Sequence, residues 1–513
     1  MKAMTTQPDG AEARATQQTG AQSVGTAVGG PPGGTPVATE MSHGAMGRSR
    51  VGTRRSFLKT GLGGAVAVSA WGAEPRLLAQ VHGERPPAQA AVTVLNPRGR
   101  VPLSFIIDDS TCLVNVNKFA MPQFDAAFGG TNRTYHRNWK EWPDEIPDAF
   151  VRKFGEWCAG QGVKGKYSIV PYPACVGRLD RELPGWSAKE LAASLDLVRT
   201  VMMPNWDIHP EMVTHTRVID TRTGHPYPER NLKFMENWDW TTGRSADEIG
   251  NYLAYALRIL REVGLSCEGV TTPGGFGTRA LPQLAQASMQ SLREVFQTEV
   301  PHYFRHLYDR GTESVAPRVE YVSGLEGNDP RCVVSVVACT GDWTGGWDNT
   351  EPEGADKFIT ADGRGGRLVE VIERGEPACL LAHWTGIWFN GEERGFKIFQ
   401  EVVRRLNERF DHLVWMKLAA IARYWAAREL TRMERVGREV RFRAPFETSD
   451  FTISTSSPAG VEPKLVAMGQ PVTLKEVNKL QALQSGTWFH DGERVVVCFD
   501  LPKGASTLVV GGA

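Results

Sequence analysis

The chain has 513 residues, with 58 Lys and Arg balanced by 58 Asp and Glu. It is long enough for a sizeable core and more than one domain, and zero net charge without a basic block argues against nucleic acid as the main partner. Eight cysteines, at 112, 158, 175, 267, 332, 339, 379 and 498, form no CxxC pair, which excludes zinc-finger spacing.

Residues 1–50 are rich in Gly, Ala, Thr, Gln and Pro without an apolar period, a composition that cannot offset the entropy of ordering. Thr53-Arg54-Arg55-Ser56-Phe57-Leu58-Lys59 and the mild apolar stretch 61–70 then resemble a twin-arginine export signal over 51–73. The alternative is a basic linker before a short helix. The resemblance implies translation from Met41 or Met46, cleavage near Ala70–Ala73, and carriage by the twin-arginine export machinery to the periplasm or the exterior. The apolar run is too short and too Gly-rich to leave a stable membrane span.

From about residue 91, β-rich runs alternate with helical periods. Strands are expected at 101–107, 163–170, 211–215, 267–271, 332–339, 378–383 and 413–418. Helices are expected at 146–161, 187–202, 245–263, 281–296, within 354–374 and at 393–410, with a long last helix ending near Val436 against Gly437 as its cap. Ser187 and Glu190 have the spacing of a capping box. Seven such units predict an α/β fold, a distorted seven-stranded (β/α) barrel over 91–437. Beyond 438 the helical period fades, and 438–513 reads as a small all-β domain.

The polar residues cluster where such strands end. Asp108 and Asp109 close the run Leu103-Ser104-Phe105-Ile106-Ile107; Glu211-Met212-Val213-Thr214-His215-Thr216 and Cys379-Leu380-Leu381-Ala382-His383 follow. Side chains at the C-terminal ends of parallel barrel strands face a common site. Adjacent carboxylates with two histidines converging on them would make a hydrolytic centre. Taken singly, the aspartates could cap the next segment and each histidine could be a satisfied buried one.

This order, with Thr271-Thr272-Pro273-Gly274 and Asp342-Trp343 between, resembles the polysaccharide deacetylase family over roughly residues 100 to 430. The resemblance implies a distorted seven-stranded barrel, a divalent metal that is usually zinc, and removal of N- or O-acetyl groups from a polysaccharide. It implies Asp108 as general base, Asp109 and His215 as metal ligands, and His383 as the acid that protonates the departing group. Two positions depart from the family. Ile219 stands where a second histidine is usual, leaving Asp220 or His225 as the third ligand if the chain bulges. His209, six residues before His215 and about 20 Å off along an extended strand, ranks lower. The arginine of the third motif is missing from Val270-Thr271-Thr272-Pro273-Gly274.

Fifteen tryptophans offer stacking faces for sugars or filling for cores. Trp343 and Trp347 follow the fifth expected strand, and Trp384 and Trp388 the sixth. With Pro273, Gly274 and Asp342 they form the expected substrate-binding set. A glycoside hydrolase pairing Asp108 or Asp109 with Asp342, or a non-catalytic glycan-binding protein, would use the same cleft.

Overall fold

The computed structural model of this chain describes residues 83–458 and 460–511. The N-terminal extension and the export signal with Arg54 and Arg55 lie outside the described residues. Among those that are described, no helix is long and apolar enough to cross a membrane.

In chain order the first elements are strands β1 (Val92–Val94) and β2 (Val101–Asp108), helices α1 (Val116–Ala127) and α2 (Asp148–Gly160), and strand β3 (Gly165–Ile169). Helix α3 (Ala188–Leu197), strand β4 (Trp206–Pro210), a ribbon of β5 (Ile219–Asp220) with β6 (His225–Pro226), and helix α4 (Ala246–Glu262) come next. Strand β7 (Gly269–Thr271) and helix α5 (Leu281–Phe296) lead to β8 (His302–Leu307), β9 (Arg318–Ser323) and β10 (Arg331–Ala338). The series ends with α6 (Arg367–Glu373), β11 (Ala378–His383), α7 (Trp384–Trp388), α8 (Arg394–Arg409), β12 (Leu413–Trp415) and α9 (Leu418–Leu430).

All eight residues of β2 are buried, as befits a central strand of a parallel sheet covered on both faces. Its neighbours run in the order β11-β2-β3-β4, all parallel, with β12 beside the first residues of β2. A second sheet runs β7-β8-β10, also parallel, with β9 antiparallel at its edge. The two sheets meet at two seams. Glu211 bridges Thr271 at one; at the other the Cys339 N–H donates to the Cys379 carbonyl, 2.8 Å.

Period-two alternation sorts the side chains. Leu103, Phe105 and Ile107 pack into the larger core with the helices, where Phe105 stacks on Phe399 of α8 with centroids 3.9 Å apart. Ile106 joins the other core with Phe304, Val336 and Leu381. On that face Lys166 of β3 lies 5.8 Å from the Phe304 ring of β8, so side chains of the two sheets meet. The predicted capping box of α3 is present, and α4 has another from Ser245 and Glu248.

Helix α9 joins the sheets to the C-terminal strands. Its Ile421 and Trp425 share a core with Val334 and Val336 of β10 and with Phe442, Phe451 and Phe499 further on. Those belong to β13 (Arg432–Val436), β14 (Glu439–Ala444), β15 (Thr448–Ser456), β16 (Lys464–Ala467), β17 (Gln470–Val472), β18 (Lys475–Glu476), β19 (Thr487–Asp491), β20 (Arg494–Leu501) and β21 (Gly504–Val509). They make two sheets, β1-β15-β20-β19-β18 and β13-β14-β21-β16-β17. The all-β character expected beyond 438 is present, and β1 from the N-terminal side joins it.

Four expectations differ from what is observed. Residues 211–215 are a turn, because strand β4 ends at Pro210 and Met212 and His215 take positive φ. Helix α1 was not foreseen: Pro122 sits inside it and breaks its sequence pattern. Strand β8, His-Tyr-Phe-Arg-His-Leu, lacks the apolar run by which the other strands were read. The last helix stops at Leu430, and Gly437 instead turns the hairpin between β13 and β14.

Candidate active site

Asp108 is the last residue of β2, and its register partner on β11 is His383. Lys166, wholly buried on β3, donates to Asp108 Oδ1. It also reaches the Ile107 carbonyl at 2.9 Å and Ser168 Oγ at 2.7 Å. Burial, then the charge of Glu211, push the Asp108 carboxyl up to about 7 against the opposing pull of Lys166 and His383.

Asp109 leaves the strand with φ of 62°, a backbone state that non-glycine residues keep only where the surroundings enforce it. Its N–H donates to Glu211 Oε2 at 2.8 Å, and Asn117 of α1 donates to its Oδ2 at 3.0 Å. His215 brings Nε2 to 2.6 Å from Asp109 Oδ1 and 3.5 Å from Glu211 Oε1. Burial alone would raise the Asp109 carboxyl, but the charges of His215 and His383 hold it below the ordinary range. Burial would likewise lower His215, and Asp109 with Glu211 hold it well above its usual value.

Glu236 fixes the turn that presents His215. Its carboxylate accepts the N–H groups of Thr214 at 3.1 Å and His215 at 2.6 Å, and the Tyr252 hydroxyl as well. Burial pushes the Glu236 carboxyl up to about 7. Three successive backbone N–H groups, those of Val213, Thr214 and His215, are thereby held by one acid that lies in no recognisable motif.

His383 is oriented from behind. Its Nδ1 lies 2.8 Å from Asp342 Oδ2, and its own N–H donates to the same oxygen at 2.9 Å. Thr344 supplies an N–H at 2.9 Å and a hydroxyl at 2.6 Å to Asp342 Oδ1. Nε2 is left as the ring nitrogen available to a reactant. Burial would lower this imidazole; the charges of Asp109, Asp342 and Asp108 raise it to about 10. Its side chain is 21% exposed, against 8% for Asp108 and 1% for Asp109, so solvent reaches the cluster at His383.

Asp109, Glu211 and His215 place one donor atom each within 4.8 Å of one another, all buried. One imidazole and two carboxylates is a donor set that suits a catalytic zinc or a similar divalent ion. Asp109 Oδ1 and His215 Nδ1 lack a well-formed hydrogen bond, although Oδ1 lies so near Nε2. A cation shared by Oδ1 and Nε2 is compatible with that contact, so these residues fit the metal.

Of the residues singled out from sequence, Asp108, Asp109, His215, Asp342 and His383 are brought together. Asp220 is not. Its carboxylate is forked by Arg222 on the β5–β6 ribbon, at 3.2 and 3.1 Å, so the third donor near His215 is Glu211, four residues before it. His225 is exposed, and His209 lies in a separate buried group with Asp207 and His302. Pro273 and Gly274 form a turn against Asn237: a Cβ at Gly274 would lie 2.9 Å from the Asn237 carbonyl oxygen.

The tryptophans divide. Trp384 and Trp388 are core residues, not a stacking rim: Trp384 packs between Phe150, Phe154 and Tyr167 and is 1% exposed. Trp343 packs its edge on Phe358. Trp347 is partly buried against Phe124 and Tyr135. Sequence reasoning did not assign Glu211, Asn117, Lys166 or Glu236. A lysine inside the strand-like run 163–170 was a signal that could have been used; Asn117 and Glu236 carried none.

No family model matches the chain, and none of the curated proteins does. Among solved structures, a protein from Parabacteroides distasonis named provisionally as a glycoside hydrolase/deacetylase is 10% identical, covers 70% of this chain and 82% of its own, and has a TM-score of 0.34. A Thermotoga maritima alpha-fucosidase is 11% identical over 81% of this chain and 97% of its own, TM-score 0.28. The type III pullulan hydrolase from Thermococcus kodakarensis is 11% identical over 80% and 82%, TM-score 0.29. Likenesses of that size carry no argument about this chain.

Proposed function

We propose that the two parallel sheets close through their seams into a distorted seven-stranded (β/α) barrel, and that the cluster at its strand ends is a metal-dependent deacetylase site acting on an N- or O-acetylated carbohydrate. The observation that carries this reading is the junction of three parts: the donor set Asp109, Glu211 and His215, the lysine-held Asp108, and the His383 ring oriented by Asp342.

A divalent ion held by Asp109, Glu211 and His215 would supply an acidified water and polarise the acetyl carbonyl. Asp108 accepts the proton of the attacking water as the new C–O bond forms. His383, protonated at neutral pH, gives its Nε2 proton to the departing nitrogen or oxygen as that bond to the acetyl carbon breaks. The products are acetate and the free amine or hydroxyl. Lys166 keeps Asp108 ionised enough to act as a base despite burial.

A glycoside hydrolase needs a second free carboxyl group across the cleft. Asp342 does not offer one, since both its oxygens are engaged by His383 and Thr344. A binding protein stacking sugars on Trp384 and Trp388 is disfavoured by their burial. The twin-arginine signal with Arg54 and Arg55, export to the periplasm or beyond, and a carbohydrate substrate belong to the same proposal.

The test is acetate release from acetylated chitooligosaccharides, acetylated xylan and peptidoglycan, with zinc supplied. Turnover on one of them, lost in Asp108→Asn with the fold intact, supports the reading. A wild-type protein that binds no divalent ion when offered one overturns it.

A further inference from the structure

Asp207 and His209 alternate along β4, four and two residues before Glu211. His302 of β8 meets them across β7. All three are buried, and their donor atoms lie within 4.8 Å of one another. The two imidazoles point Nε2 at Nε2, 2.9 Å apart. Gly269 lies between them on β7, where a Cβ would come within 2.4 Å of both nitrogens. Any side chain there would fill the place where the two rings meet.

A neutral imidazole has one N–H and one lone pair. His209 Nδ1 lies 3.1 Å from Thr271 Oγ1; donating there turns a lone pair at Nε2 toward His302. A proton can join the rings in either direction: His302 donates from Nε2 to His209, or the Thr271 hydroxyl donates to His209 Nδ1 and His209 donates from Nε2 to His302. The first leaves His302 Nδ1 as a buried lone pair that no donor meets. Placing both ring protons on Nδ1 instead sets two lone pairs face to face. An imidazolium would carry a charge into the interior at high cost. A divalent cation accepts both Nε2 lone pairs, and each ring then keeps its proton on Nδ1, the usual state of a metal-bound histidine. Asp207 offers the counter-charge, with one oxygen already receiving the Ala419 N–H at 2.6 Å.

We propose that Asp207, His209 and His302 form a second, structural divalent-metal site, of a chemistry that suits zinc. It ties β4 to β8 across the seam where, in backbone terms, one bridge from Glu211 to Thr271 joins the sheets. It does not depend on the active-site reading.

The experiment loads the full chain with zinc, removes excess ion by dialysis, and counts zinc per chain in wild type, His215→Ala, His302→Gln and the double variant. Two ions in wild type, one in each single variant and none in the double variant are expected. One ion in wild type that survives His215→Ala and is lost in His302→Gln also supports this site, while removing the active-site metal. Because His302→Gln could fail to fold, zinc X-ray absorption on His215→Ala gives a second reading. A shell with two imidazoles is expected. No zinc in His215→Ala, or a shell without imidazole, overturns the proposal.

Discussion

Removing the charge of Asp342 while keeping its shape should detune His383 without dismantling the site. In Asp342→Asn, the carboxylate that faces Nδ1 at 2.8 Å becomes a neutral amide. A hydrogen bond to a charged group contributes about 1.5–3 kcal/mol. At about 1.4 kcal/mol per unit, the His383 pKa should fall by roughly 1 to 2 units from its value of about 10. The sign follows from the charge: losing a negative neighbour disfavours the imidazolium. A general acid works only while protonated, so the alkaline limb of the pH–rate profile should move down by the same amount. The linked stability has the same sign. A raised histidine pKa stabilises the fold fully below its unfolded value and loses that contribution as pH rises through about 10. Asp342→Asn should therefore cost stability at neutral pH, and the difference should close in strong alkali. The direct assay is NMR titration of the imidazole Cε1–Hε1 signals, with His383 among the 11 histidines identified by loss of its peak in His383→Gln. Zinc should lower the wild-type value, since it shares the charge of Asp109, but the part due to Asp342 should persist. A wild-type His383 titrating at its ordinary value, or one that Asp342→Asn leaves unmoved, refutes this account of the site.

Lys166→Met should destabilise the fold by about 3–5 kcal/mol in mild alkali, the usual cost of stripping one partner from a buried pair, and by less in mild acid. Asp108 already has a raised pKa, so it takes up a proton as pH falls and its buried charge disappears; urea unfolding at two pH values measures the difference. Asp109→Ala, Glu211→Ala and His215→Ala should each lower the zinc affinity of the active site, whereas Asp220→Ala should leave it unchanged, as isothermal titration will show. Trp384→Ala should cost about 3–5 kcal/mol in unfolding free energy, as large core deletions do. Trp347→Ala, at a ring only partly buried against Phe124 and Tyr135, should cost well under half of that, and an equal loss would contradict the division of the tryptophans into core and rim.

Much of the frame was legible because its signals are local. The strands at 101, 163, 267, 332 and 378 announce themselves as apolar or β-rich runs, and Ser187 with Glu190 announces a helix start. What was missed depends on partners distant in sequence. Strand β8 owes its place to parallel pairing with β7 and β10, which outweighs a sequence broken by two histidines and an arginine. Helix α1 tolerates Pro122 because buried Val116, Ala120, Met121 and Phe124 anchor one face of it. Trp384 and Trp347 stand in similar Gly- and Thr-rich surroundings, and their opposite fates follow from the helix that α7 makes of one segment.

The site shows the same limit more sharply. Asp108, Asp109 and His383 were legible because a strand end defines where a side chain goes. The family resemblance points to a third donor after His215, at Asp220 or His225 in place of Ile219, and an extended 211–215 ranks the earlier His209 lower. The extended segment in fact ends at Pro210, and positive φ at Met212 and His215 folds the chain back on itself. That reversal places Glu211 and His215 side by side and carries Asp220 away onto the ribbon with Arg222. Ile219, buried and giving its N–H to the Tyr252 hydroxyl at 3.2 Å, then need not be a ligand at all. It helps hold Tyr252 against Glu236, and Glu236 holds the turn. The loss of one histidine and the gain of one glutamate are thus two consequences of a single backbone reversal, and the acid that enforces it lies 21 residues beyond the histidine it positions.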